Sequence, residues 1–396
     1  MGRVIVDLER VEGEARIIVE VDGGYNARFL GLDYRAIERV MERQPLYRLP
    51  LVASRICGIC FISHYIASLK EIYRVKGVEL EPEAAATLEY ANTIQHLVDN
   101  LLHFFVMCSS DVGKLTGRRD VVEKLRVRAL KLFSEWMMLV ARAFGDPVHP
   151  MLGFIGSVPG IDEVAGRVAG DAARLASETL NLVDEGRGLA EEMLREYSGL
   201  YPGSSYTYIA LRGGGLVSGD PVNPLDGSRV EPGELLSSRR LGGHGYIRAP
   251  RHEPPYRTGP LARSLARGSI TASELREYSE SPLLYHSSRL AELGETCKLL
   301  SEGWTPEPFR ARPGGVVEAP RGLLLHSYSV AGDARRVEVL TPTAINTEAL
   351  ERDIVAALEE VKPKTEREVA ETASIVARAY NPCLSCAACI VRVVWR

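Results

Sequence analysis

Apolar and polar residues alternate along the first part of the chain: Val4, Val6 and Leu8, then Ala15, Ile17, Val19 and Val21, then Ala27 and Phe29. A period of two places one face of each segment against a core. Asp22-Gly23-Gly24 interrupts it with a hairpin-turn signal. Residues 1–31 therefore predict a small antiparallel sheet. The period then lengthens. A helix is expected over 33–43, ended by Pro45 and Pro50, and another over 61–76. Apolar residues three and four apart predict long helices over 83–112, 120–144 and 161–197.

Residues 201–260 read differently, rich in Gly, Pro, Ser and Arg with short β-like runs. Tyr206, Tyr208, Tyr246 and Tyr256 need somewhere to pack, which predicts ordered loop or small sheet. Helices resume over 260–303, strand signals return over 315–341, and helices at 347–361 and 365–379 follow. The expected fold is mainly α (α+β): a long-helix bundle with small peripheral antiparallel sheets. We read the 396 residues as a single domain, with a sheet at 1–31, a helical core over 33–197 and 260–380, and a Gly/Pro-rich insertion at 201–260.

Composition narrows the function classes. A net charge of −4 gives no electrostatic reason to expect nucleic acid. No run of apolar residues is long enough for a transmembrane helix. The charged, alternating start lacks a signal-peptide core, so a cytoplasmic protein is expected. Asn and Gln together number nine, which fits a thermophile's avoidance of labile amides.

Cysteine placement changes the picture most. Of seven cysteines, four form Cys57-Gly-Ile-Cys60 and Cys383-Leu-Ser-Cys386, with 322 residues between the pairs. A small zinc knuckle closes its ligands within a few dozen residues. Here a shared metal site has to be assembled by the whole fold, from both chain ends. Four thiolates suit soft transition metals. Cys60 is expected near the first turn of the 61–76 helix, where the positive helix end favours a thiolate. Cys108 and Cys297 read as plain core residues.

At this point the residues resemble a known family. Arg55-Ile-Cys57-Gly-Ile-Cys60-x-x-x-His64 resembles the first metal-binding motif of nickel–iron hydrogenase large subunits, and Asn381-Pro-Cys383-Leu-Ser-Cys386 the second. Further blocks follow in the family's order: Arg10-Val-Glu12-Gly, Arg35-Ala-Ile-Glu38, His103-Phe-Phe with Asp111, His149-Pro150, Gly259-Pro-Leu-Ala-Arg263, Glu318-Ala-Pro-Arg321-Gly-Leu-Leu324-Leu-His326 and Thr341-Pro-Thr343-x-x-Asn346. They look most like the cytoplasmic, cofactor-coupled branch.

The resemblance implies reversible splitting of dihydrogen into protons and electrons at a nickel–iron centre. Cys60 and Cys386 would bridge both metals, and Cys57 and Cys383 bind nickel alone. Cyanide and carbon monoxide would complete the iron. Four thiolates, two divalent metals and two cyanides leave a buried charge of about −2, which needs fixed counter-charge. Arg321 supplies it by resemblance, with Asp111 as its carboxylate partner. Thr343 matches a hydroxyl bonded to a cyanide, and Leu324 an apolar wall at the carbon monoxide. Cys383 would take the proton and Glu12 carry it onward. No cysteines remain for an iron–sulfur cluster, so a cluster-bearing small subunit is implied, with a flavin or deazaflavin subunit behind it.

Three positions depart from the family pattern. Asn381 replaces an Asp, Glu14 a His, and Cys389 a His that in relatives helps Glu38 hold magnesium or another divalent ion. A thiolate is a poor magnesium ligand. The alternative expectation is a non-catalytic sensor or scaffold that retains the fold and the metal ligands.

Overall fold

A computed structural model describes residues 3–6, 14–31, 37–197, 205–213, 215–241, 247–331, 334–382 and 388–395. The chain opens with strands β1 (Arg3–Val6), β2 (Glu14–Val21) and β3 (Tyr25–Gly31), and Ile17, Val19, Ala27 and Phe29 point inward as the alternation requires. Helices α1 (Ile37–Glu42) and α2 (Leu49–Ala53) lead to α3 (Phe61–Lys76). Then come α4 (Pro82–Leu102), α5 (Ser109–Leu115), α6 (Arg119–Phe144) and the 37-residue α7 (Ile161–Tyr197).

The insertion carries short elements: β4 (Thr207–Leu211), β5 (Pro221–Val222), α8 (Pro232–Ser237), β6 (Arg240–Leu241), β7 (Ile247–Arg248) and β8 (Tyr256–Thr258). The expected helical stretch 260–303 is three helices, α9 (Pro260–Arg267), α10 (Ala272–Glu277) and α11 (Leu284–Ser301). Strands β9 (Gly315–Ala319), β10 (Gly322–Ala331) and β11 (Ala334–Leu340) form an antiparallel sheet. Helices α12 (Pro342–Val361) and α13 (Glu366–Tyr380) and strand β12 (Ala388–Trp395) complete the chain. The balance is helical, as expected, and the sheets are small.

Two helices form the centre. Nearly every residue of α3 from Phe61 to Tyr73, and of α4 from Ala84 to Leu101, is buried, so neither has a polar face turned to water. Buried Glu71 on α3 accepts the backbone N–H groups of Gly315 (3.0 Å) and Tyr328 (2.8 Å), which fastens β9 and β10 to the helix. The long α6 and α7 are one-sided, and Trp136 Nε1 donates to Thr179 Oγ1 between them (3.2 Å). Thr365 and Glu368 start α13 with a capping box.

Three differences from expectation matter. The 83–112 helix is interrupted: after Leu102 the backbone widens into a π-helical turn over His103–Met107 and restarts as α5. Helix α12 begins earlier than expected because Pro342 is tolerated at its first position, after an N-cap at Thr341. Strand β12 lies outside the expected elements, although Ile390, Val391, Val393 and Val394 are β-branched. It lies between β1, to which it is antiparallel, and β2, to which it is parallel, so the two chain ends share one sheet.

Candidate metal centre

The first Cys pair sits between two short helical turns and α3. Cys57 has an extended backbone and Cys60 is the N-cap of α3. Both are buried. The Cys57 sulfur accepts the backbone N–H groups of Cys60 (3.2 Å) and Ile59 (3.4 Å). Such donors favour a thiolate, the form that binds a metal. Ser63 anchors this turn to α4 through Asn92 and Gln95, each bond 2.8 Å.

A buried guanidinium, Arg321, acts together with Cys57 on the charges of His64 and Asp99. Arg321 Nη2 lies 3.1 Å from Asp99 Oδ1, and both side chains are 2% exposed. Asp99 Oδ2 accepts from Asn381 Nδ2 at 3.3 Å. One carboxylate on α4 therefore joins Arg321 to the residue two before Cys383. Burial raises the Asp99 pKa against the pull of Arg321 and Arg289, and the Cys57 charge raises it further. Asp99 is thus within electrostatic reach of the first Cys pair while holding the start of the second motif. Asn381 itself takes a left-handed backbone (φ 54°) at the C-cap of α13, a conformation Asn tolerates.

Arg321 is placed by its neighbours in the chain. Arg263 on α9 forms a fork to Glu292 (2.6 and 3.0 Å), bonds Glu318 (3.0 Å), and donates to the carbonyls of Ala319 (3.0 Å) and Pro320 (2.8 Å). It clamps the backbone immediately before Arg321. On the other side, Gly322 has φ +133° and a Cβ there would meet Thr258 at 2.5 Å; a Cβ on Gly259 would meet the Arg321 carbonyl at 2.7 Å. Asn346 holds Thr258 from both sides, at 2.8 and 3.1 Å. Three of the sequence blocks thus interlock around one arginine.

A model of nickel-dependent hydrogenases matches residues 35–126. The chain is 26% identical to a subunit of the F420-non-reducing hydrogenase of Methanothermobacter thermautotrophicus, covering 96% of this chain and 92% of that one. It is also 26% identical to the alpha subunit of sulfhydrogenase 2 of Pyrococcus furiosus, covering 98% and 100%. Over nearly its whole length the chain is similar to subunits of nickel-dependent hydrogenases. The fold agrees: an NAD+-reducing [NiFe]-hydrogenase superposes with a TM-score of 0.78 at 21% identity, covering 98% of this chain and 99% of that chain. The Ni-Fe-Se hydrogenase of D. vulgaris Hildenborough does so at 0.72 and 18%, covering 97% and 99%.

The expected site residues divide into groups. Glu12, Cys383 and Cys386 lie outside the described residues, as does Arg35. Cys389 is described by its backbone alone, paired with Ala15 in the sheet. Leu324 on β10 and Thr343 in the first turn of α12 are buried. Glu38 Oε1 accepts from Arg239 Nη1 (2.6 Å) and the N–H of Val339 (2.7 Å). A cation at Glu38 would compete with Arg239, which no sequence block singles out.

One assignment is corrected. Asp111 does not pair with Arg321: its carboxylate is forked onto Arg378 of α13, with Nη2 to Oδ1 at 2.7 Å, and Asp99 takes the Arg321 side. The π-turn after Leu102 sets α5 apart from α4, so Asp111 meets α13 instead. Asp99 is absent from the residues expected at the site. The signal available for it was its place on an all-buried helix, where an isolated charge needs a partner.

His64 and His326 are near the centre and joined to each other, Nδ1 to Nε2 at 3.0 Å, with His326 Nδ1 at 2.9 Å from the Tyr328 hydroxyl. Burial brings His64 down to about 4, with Cys57 pulling up and Arg321 down. Burial and His64 hold His326 well below the usual imidazole range. Both are neutral at pH 7 and form an orienting chain.

Proposed function

We propose that the chain is the catalytic subunit of a nickel–iron hydrogenase that reversibly splits dihydrogen into protons and electrons. The observation that carries this is the Asp99 junction: it ties Arg321, beside the Cys57 turn, to Asn381 at the head of the second motif. In this reading Cys57, Cys60, Cys383 and Cys386 hold nickel and iron. The residues present fit such a group. Cys57 is prepared as a thiolate by backbone donors, and the buried guanidinium supplies the positive charge that a thiolate-rich centre requires.

When bound, the centre supplies Lewis acidity to polarise dihydrogen. Cys383 accepts the proton at its sulfur, and Glu12 carries it outward. Arg321, a guanidinium that proteins do not deprotonate, orients. Thr343 would donate to a cyanide of the bound group, and Leu324 would keep water from its carbon monoxide. Electrons leave through an iron–sulfur small subunit, with a flavin or deazaflavin subunit beyond it. Among the described residues, buried Cys108, between the π-turn and α5, and buried Cys297, on α11, share no metal-binding group with each other.

Metal analysis with infrared spectroscopy of the anaerobically purified complex tests this. Nickel, iron and metal-cyanide bands are expected; zinc alone would leave the non-catalytic reading in its place. Glu12→Gln should abolish hydrogen–deuterium exchange while the metals stay bound. Full turnover in that variant would remove Glu12 from the route.

A further inference from the structure

Beside the centre described above lies a second cluster of soft ligands. His103 and Cys108 flank the π-helical turn, and the backbone bond that defines it runs from Cys108 N–H to the His103 carbonyl (2.9 Å). In an α-helix, residues five apart point about 140° away from each other. The wider turn brings them onto one face, and the Cys108 sulfur stands 3.1 Å from His103 Nε2. His286 on α11 stacks over His103, ring centroids 6.1 Å apart and planes 13° apart. One nitrogen of each ring and the sulfur lie within 4.8 Å of one another, and all three residues are buried.

We propose that His103, Cys108 and His286 form a second metal site, selective for a monovalent thiophilic ion, copper(I), over zinc. Two imidazoles and a thiolate suit copper. Ligands about 2.0–2.3 Å from a common ion stand roughly 3.5–4 Å apart, so a small rotation of Cys108 and His286 closes the site. His103 Nε2 also lies 2.8 Å from the Arg378 carbonyl; when Nε2 ligates, the ring proton sits on Nδ1 and that contact is given up. The Nδ1 atoms of both histidines are buried without a hydrogen-bond partner among the described residues. Burial and the nearby Arg289 keep both rings neutral, the state a metal needs.

Charge selects the ion. Arg289, fully buried, faces both Cys108 and Asp99. The carboxylates of this region, Asp99 and Asp111, already serve Arg321 and Arg378. A monovalent ion and the Cys108 thiolate cancel. A divalent ion would add an unbalanced buried charge next to a guanidinium.

The test uses the full chain carrying Cys57→Ser, Cys60→Ser, Cys383→Ser, Cys386→Ser and Cys389→Ser, so that no other thiol pair takes the copper and the outcome does not depend on the nickel–iron reading. Copper(I) is titrated anaerobically against a chromophoric chelator, and zinc in parallel. One tight equivalent of copper is expected, at least 100-fold weaker after Cys108→Ser or His286→Asn and unchanged after Cys297→Ser. X-ray absorption of the loaded parent should show one sulfur and two nitrogens, which keeps the site testable if a variant does not fold. Tighter binding of zinc, an equivalent that survives Cys108→Ser, or a sulfur-only copper shell would overturn the proposal.

Discussion

Arg263→Met isolates what holds the guanidinium loop in place. The substitution keeps an unbranched stem of similar length and removes every donor that Arg263 gives to Glu292, Glu318, Ala319 and Pro320. The arginine is 3% exposed, as is Glu292, while Glu318 is fully buried. Removing one partner of a buried ion pair costs ~3–5 kcal/mol, because the other charge stays behind. A second estimate agrees. Burial pushes the Glu292 carboxyl up, but Arg263 overrides it and holds the group at about 2 against an ordinary 4.5; such a drop corresponds to roughly 3 kcal/mol. Glu318 goes the other way, since for it burial outweighs Arg263, and it adds nothing to that figure.

The sign follows from the depressed carboxylate. The Glu292 contribution is present above pH 4.5 and lost as pH falls towards about 2. In the variant Glu292 keeps only Arg267, at 3.8 Å, and takes up a proton more readily. Urea denaturation of the anaerobic protein should therefore show a loss of about 3 kcal/mol at pH 7 that narrows on acidification below pH 4.5. A loss under ~0.5 kcal/mol, the size of an ordinary surface change, or a gap that stays constant on acidification, would refute the reasoning.

Two further predictions concern the same loop. Gly322→Ala places a methyl 2.5 Å from Thr258 at a backbone angle that side chains avoid; overpacking and strain together cost ~2–5 kcal/mol, read as a lowered unfolding midpoint, and a midpoint within a degree of the parent would show the loop has room. Asp99→Asn keeps the shape but removes the charge facing Arg321, which should lower dihydrogen turnover ~10–100-fold with nickel and iron content unchanged. Unaltered turnover there would mean that Arg321 is held by other groups.

Local signals are enough for much of the chain. Helix α3 begins and ends at the residues expected, and so does α7, because periodicity, flanking Pro and Gly, and capping residues lie within a few positions of each boundary. The four cysteines, Arg321 and the blocks around them are legible as a set because their chemistry is unusual for a core. The π-turn is not legible. A backbone bond across five residues has no local preference and exists here because packing among α4, α11 and α13 repays it. Strand β12 has a local signal in its β-branched run, but its place does not: its partners β1 and β2 lie at the opposite end of the chain.

The choice between Asp99 and Asp111 shows where sequence runs out. Both are acids close together in the helical stretch that leads into the π-turn and α5, and either could answer the charge of Arg321 by composition alone. Which one does so depends on how α4 lies against the loop before β10, and on the π-turn that sends Asp111 to Arg378. Spacing along a chain sets which residues share a face. Only three-dimensional packing sets what that face meets, because the partners are brought together by burial of surface contributed from distant segments.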